Sequence, residues 1–143
     1  MSTIIKSTFA AAVLASAALS SPPGFGGQRE NNNISSVEIA QLPRFCWAQM
    51  EIPGADGPDF HILNCGPGAN HYCTGLLYMI RAKGHVPKST RFDLLGHADT
   101  DIKYTEKAIK DWPSCSIRDH VAESRVEVDK LMAMFGYNGR RAK

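Results

Sequence analysis

The sequence predicts an all-α protein: a small antiparallel bundle of about four helices, with a long Pro/Gly loop and disulfide staples. Three observations predict it. From residue 71 onwards apolar residues return at steps of three and four, the spacing of one helix face. Gly84, Pro113 and Gly136 divide that pattern into three segments. Four cysteines, Cys46, Cys65, Cys73 and Cys115, lie beyond a segment with the features of an export signal.

The elements follow in chain order. Residues 1–20 read MSTIIKSTFAAAVLASAALS: Lys6 is the positive charge, Phe9 to Leu19 the apolar stretch, and Ala15-Ser16-Ala17 and Ala18-Leu19-Ser20 are small-residue cleavage sequences. The apolar stretch is too short to span a bilayer, so a secretory signal peptide is expected. Residues 21–34, rich in Pro, Gly and Asn, are expected to be a flexible linker. A helical domain is expected over 35–137 and a short basic tail over 138–143.

Within the domain, Ser35 with Glu38 forms a capping box for a first helix. Pro43 ends or bends that helix near Leu42 and starts another, expected to run to about Met50. Residues 51–68, EIPGADGPDFHILNCGPG, form the long loop. Asn70 is the expected cap of a helix from His71 to about Lys83, with Tyr72, Leu76, Met79 and Ile80 as its apolar stripe. Ser89 or Thr90 is expected to open the next helix, whose face is Leu95, Ala98, Ile102, Thr105, Ile109 and Trp112. Ser116 with Asp119 is expected to cap the last, which buries Ile117, Val121, Val128, Leu131 and Phe135 and stops at Gly136. The short connections predict antiparallel neighbours.

An even number of cysteines behind an export signal favours disulfides and a periplasmic or secreted destination. The helical reading places Cys73 and Cys115 at the same end of a hairpin, so Cys46–Cys65 with Cys73–Cys115 is the preferred pairing. Cys46–Cys73 with Cys65–Cys115 is the rival, because all four thiols should gather near one end of the bundle. The stretch CGPGANHYC, residues 65–73, is then a tight turn leading into a stapled helix. Gly66 and Gly68 serve the turn and Pro67 stiffens it. Cys-x-x-Cys-His for haem and Cys-x-x-Cys for redox chemistry are both absent, and the closest cysteines are too far apart for a typical zinc pair. No cofactor is expected.

Asp93, His97 and Asp101 recur at four-residue intervals and share a helix face. With His71 they are candidate metal ligands, and so is His61, although an exposed polar face explains the helix residues as well. His61 and His71 flank the cysteine loop. Trp47, Tyr72, Tyr78, Tyr104 and Trp112 could line a groove, although helical spacing favours core positions. No Gly-x-Ser-x-Gly elbow, His-Glu-x-x-His or phosphate-binding glycine loop occurs, and no catalytic residues are assigned.

Lys and Arg total 16 against 14 Asp and Glu, and Lys6, Arg140, Arg141 and Lys143 lie in the signal and tail. The body is near neutral with no basic stripe, which argues against a nucleic-acid partner. No segment after the signal is long and apolar enough to span a membrane.

His71, Thr74, Gly75 and Tyr78, followed by Ala98, Ile102 and Thr105, resemble a tetratricopeptide-type hairpin. Gly75 and Tyr78 match that family's first-helix pattern, and the small-large-small spacing of the other three fits its second helix. The run from Asn70 to Leu76 also resembles secreted bacterial helical proteins of unassigned function. The tetratricopeptide resemblance implies a protein-binding scaffold. The expectation is therefore a non-catalytic protein-interaction module of the cell envelope. An immunity or inhibitor protein against a toxin or hydrolase is the alternative, and a metal- or haem-handling protein using His61, His71, His97 and thiols is a third reading.

Overall fold

The computed structural model describes residues 33–139. The expected signal, all but the last two residues of the linker, and Arg140 to Lys143 of the tail lie outside the described residues. Four α-helices form the body: α1 (Ser36–Gln41), α2 (His71–Lys83), α3 (Lys88–Ala108) and α4 (Arg118–Phe135). Two single turns of 3-10 helix, Arg44–Cys46 and Pro58–Phe60, stand between α1 and α2. The helix predicted to reach Met50 is therefore one 3-10 turn followed by non-helical turns.

The antiparallel order is as predicted: α3 packs between α2 and α4, and α1 rests on α2. The capping box at α1 is present. Ser35 Oγ accepts from the Glu38 N–H, and the Glu38 carboxylate accepts from the Ser35 N–H at 2.7 Å. The same carboxylate holds Arg81 of α2, with its Oε1 2.6 Å from Nε. Partial burial acts to raise the Glu38 carboxyl, but the hydrogen bonds from Arg81 and Ser35 outweigh it and hold the group below the usual carboxylate range.

Three predicted caps give way to other devices. Asn70 is in helical conformation and makes no side-chain cap; α3 opens at Lys88 directly after Pro87; α4 opens at Arg118 after Ile117. Ser116 Oγ instead accepts from the Leu63 N–H at 3.0 Å, tying the long loop to the α3–α4 connection. The ends of α2 and α3 are closed by arginines from the next helix. Arg91 donates to the Ala82 and Gly84 carbonyls at 2.9 and 3.0 Å. Arg118 donates to the Ile109 and Trp112 carbonyls at 2.7 and 2.8 Å. Each guanidinium adds donors to carbonyls at or just past a helix end and meets the negative end of the helix dipole. Helix α4 ends at Gly136 in the left-handed conformation, φ 70°, with the Tyr137 N–H returning to the Met132 carbonyl.

The core follows the predicted stripes. Tyr72, Leu76, Met79, Leu95, Ala98, Ile102, Ile109, Ile117, Val121, Val128 and Leu131 are buried, and Phe135 packs on them partly buried. Gly75 permits the closest approach of α2 to α3. A β-carbon there would lie 3.1 Å from Asp101 Cβ and 3.2 Å from Ile102 Cγ1, which is tighter than ordinary contact. The hydroxyls buried in the core are satisfied: Thr105 Oγ1 donates to the Asp101 carbonyl, and the Tyr72 hydroxyl reaches both the His120 carbonyl at 2.9 Å and Ser124 Oγ at 2.8 Å. Burial pushes the Tyr72 phenol up to about 12. Asp99 joins α3 to α4 through Arg125, 2.7 Å from Nη1, and Arg125 also pairs with Asp129.

The cysteines form two disulfides, Cys46–Cys73 and Cys65–Cys115, and none is free. This is the rival pairing, and the preferred Cys46–Cys65 with Cys73–Cys115 is corrected. Two adjacent residues of α2 explain the difference. Tyr72 faces α4, and Cys73, about 100° further round the helix, faces the Pro43–Trp47 turn, where Cys46 is wholly buried. Cys115 is left to the long loop, which the Leu63–Ser116 hydrogen bonds bring beside it. Two disulfides belong with an oxidising, extracytoplasmic compartment. Among the described residues no helix is long and apolar enough to cross a membrane.

Candidate functional site

The nine residues from Cys65 to Cys73 form a platform bolted at both ends. Cys73 is held under the first turn of α2 and Cys65 beside the end of α3. Between them the backbone takes left-handed conformations at Gly66 and Gly68, φ 64° and 96°, and Asn64 just before takes φ 58°. The glycines are required for two reasons. Each φ is one that a side chain disfavours, and each backbone lies against an aromatic ring of the α3 end. A β-carbon on Gly68 would meet Tyr104 Cε1 and Ala108 Cβ at 3.0 Å, and one on Gly66 would collide with the indole of Trp112.

Large apolar side chains around this platform remain open to solvent: Leu63 is 44% exposed, Tyr104 52% and Trp112 41%. Leu63 is fixed by its backbone hydrogen bonds to Ser116, and the two rings by the glycine loop laid against them. The result is a firm aromatic ledge at one end of the bundle. Exposed Pro67 sits between the two glycines that touch the rings.

The predicted polar residues separate. His71 Nδ1 lies 3.2 Å from Asp101 Oδ1 across the α2–α3 seam, and its ring packs on Tyr104 with centroids 4.5 Å apart. His97 stacks on Tyr78 at 4.9 Å. Asp93 lies further along α3, in a cleft shared with His97, Thr100 and Tyr137. Among the described residues no group of three or more His, Cys, Asp and Glu side chains is placed to hold a metal. One His–Asp hydrogen-bonded pair and one ring pair can orient side chains, but neither provides a set of convergent ligands.

On the other side of the loop is a cleft of about 460 Å³, walled by Phe45 and Phe60 and edged by Gln49, His61, Asn64 and Asn70. The Gln49 amide nitrogen donates to the Asn70 carbonyl, fixing one edge of the cleft to the start of α2.

Of the aromatic residues picked from sequence, Tyr72 is core, Trp47 is half-buried, and Tyr104 and Trp112 form the ledge. Leu63, Gln49 and Asn64 carry no sequence signal of a site. The two glycines around Pro67 are the only pointer to a backbone pressed against rings. No protein-family model matches the chain, and no curated protein or solved structure matches it either.

Proposed function

We propose that the chain is a non-catalytic protein-interaction module working outside the cytoplasm, with the ledge of Leu63, Tyr104 and Trp112 as its contact surface. The observation that carries this reading is the exposure of three large apolar residues around a platform held by two disulfides and laid against two of them through its glycines. Exposed aromatic anchors on a rigid support bind with little ordering cost, which is how interface hot spots operate. His71 and Asp101 supply a polar rim beside the ledge. The two disulfides support an envelope or secreted setting, where such a surface would meet other exported proteins.

Site-specific photocrosslinking in the native host tests it. A photoreactive residue at position 63 or 104 is expected to give a discrete protein adduct. The same residue at 126 or 134, exposed positions on α4, serves as the control. Adducts of equal yield at all four positions, or none at 63 and 104, would reject the ledge as the interface.

A further inference from the structure

We propose that the cleft beside the cysteine loop binds a neutral saccharide, a second ligand of different chemistry from the protein partner and independent of the ledge. Its volume, about 460 Å³, lies in the range of small-molecule sites. Its lining holds no Lys, Arg, Asp or Glu. Three carboxamides, Gln49, Asn64 and Asn70, and the imidazole of His61 provide its polar edge. Each carboxamide has both a donor and an acceptor end, as a sugar hydroxyl does.

These groups are available. Among the described residues, the side chains of Asn64, Asn70 and His61 make no hydrogen bond, and Gln49 uses only its amide nitrogen. Asn64 is held in the left-handed conformation, φ 58°, so its carboxamide is presented by a backbone that most side chains would not tolerate. Phe45 and Phe60 form the apolar wall that the C–H face of a pyranose needs. Phe60 is braced by Trp47, centroids 5.7 Å apart, and by the Arg44 guanidinium 4.6 Å from its own centroid. Arg44 is thereby occupied over rings and is not among the lining residues. An acidic ligand would find no Lys or Arg in the lining, and a cationic ligand no carboxylate.

NMR titration of the oxidised protein with neutral tetrasaccharides (malto-, cello- and chitotetraose), tetragalacturonate and an uncharged Gly/Ser peptide tests the assignment. At least one neutral tetrasaccharide is expected to shift the Asn64 and Asn70 side-chain amides and the His61 ring saturably at millimolar concentration. Tetragalacturonate and the peptide are expected to leave them unmoved. Asn64→Gly keeps the left-handed backbone while removing the carboxamide, and is expected to weaken binding roughly tenfold with the amide spectrum otherwise unchanged. His61→Ala is expected to weaken it by a similar factor. No saturable shift with any neutral sugar, stronger binding of the acidic sugar or the peptide, or undiminished binding in Asn64→Gly would each overturn the proposal. A ledge variant such as Tyr104→Ser is expected to keep sugar binding, so failure of the interaction reading and failure of this one are separable.

Discussion

Gly66 lies so close to the indole of Trp112 that a β-carbon placed on it would be 2.2 Å from Cε2. Backbone and ring are thus in direct contact, and the residue also holds φ 64°. Gly66→Ala is expected to cost about 3 kcal/mol, part from strain at positive φ and part from forcing the ring away. Gly54→Ala, at φ 82° with open space around it, isolates the strain and is expected to cost only about 1 kcal/mol. Thermal unfolding of the two variants checks the difference.

The disulfides join residues 27 and 50 positions apart. Closing loops of that size stabilises by about 4 kcal/mol each in the chain-entropy model. Replacing Cys46 and Cys73 together by Ala should cost more than replacing Cys65 and Cys115, because the first pair is also wholly buried at the centre of the core. Urea denaturation of the two double variants measures this, and non-reducing peptide mapping of the wild type should recover the Cys46–Cys73 and Cys65–Cys115 crosslinks.

Tyr72 ties α2 to α4 through its hydroxyl, and Tyr72→Phe is expected to lose about 1 kcal/mol. Its folded phenol titrates at about 12, above the unfolded value of 10.0. The folded state therefore holds the proton more tightly. Its contribution to stability is complete below pH 10 and falls away as pH rises towards 12. In Tyr72→Phe this part of the alkaline loss should disappear from a stability-versus-pH series.

Glu38 has the opposite sign. Its carboxyl is held below the ordinary carboxylate value, by hydrogen bonds from Arg81 and Ser35 that outweigh the opposing effect of burial. Its stabilisation is present above the unfolded value and is lost as pH falls through the lower folded value. Glu38→Gln should flatten that acid limb and cost about 1 kcal/mol at neutral pH, since the ion pair with Arg81 is lost while the amide oxygen still accepts from the Ser35 N–H. Chemical denaturation between pH 3 and 7 follows both effects.

Arg118 reaches three carbonyls at the end of α3. Arg118→Met keeps most of the stem packing and removes the donors, and is expected to cost about 2 kcal/mol. Hydrogen exchange should then rise first in the last turn of α3 and around the Trp112 loop.

Much of the architecture was legible because it rests on local period and punctuation. The bounds His71–Lys83 and the stop at Gly136 follow from the apolar repeat and from glycines at the ends. Trp112 continues the α3 stripe in sequence, yet the helix stops at Ala108, so the periodic rule no longer applies and the ring turns to solvent. The expected caps fail for two reasons: Asn70 already stands in helical conformation, so its side chain does not cap α2, and the Ser116 hydroxyl is taken by the Leu63 N–H, a contact that only the folded loop makes. The arginine closures were invisible for the same reason, since they exist only once two helices are folded against each other. The cysteine pairing turned on the direction of one side chain on α2, to which spacing alone is blind. The candidate cleft unites residues 45 to 70 from turns and loop, and no periodic signal marks such segments.

The two crosslinks interleave along the chain, 46 with 73 and 65 with 115, so every peptide bond between Cys46 and Cys115 lies beneath at least one of them. Only the stretch between Cys65 and Cys73 lies beneath both. With Cys46 joined to Cys65 and Cys73 to Cys115, a single proteolytic nick in that stretch would have severed the protein into two separate molecules. With the crossed arrangement the nicked chain stays one covalent piece, doubly tied across the break. The segment that backs the rings of the ledge and lines part of the cleft is therefore the one a protease can cut with least power to take the molecule apart.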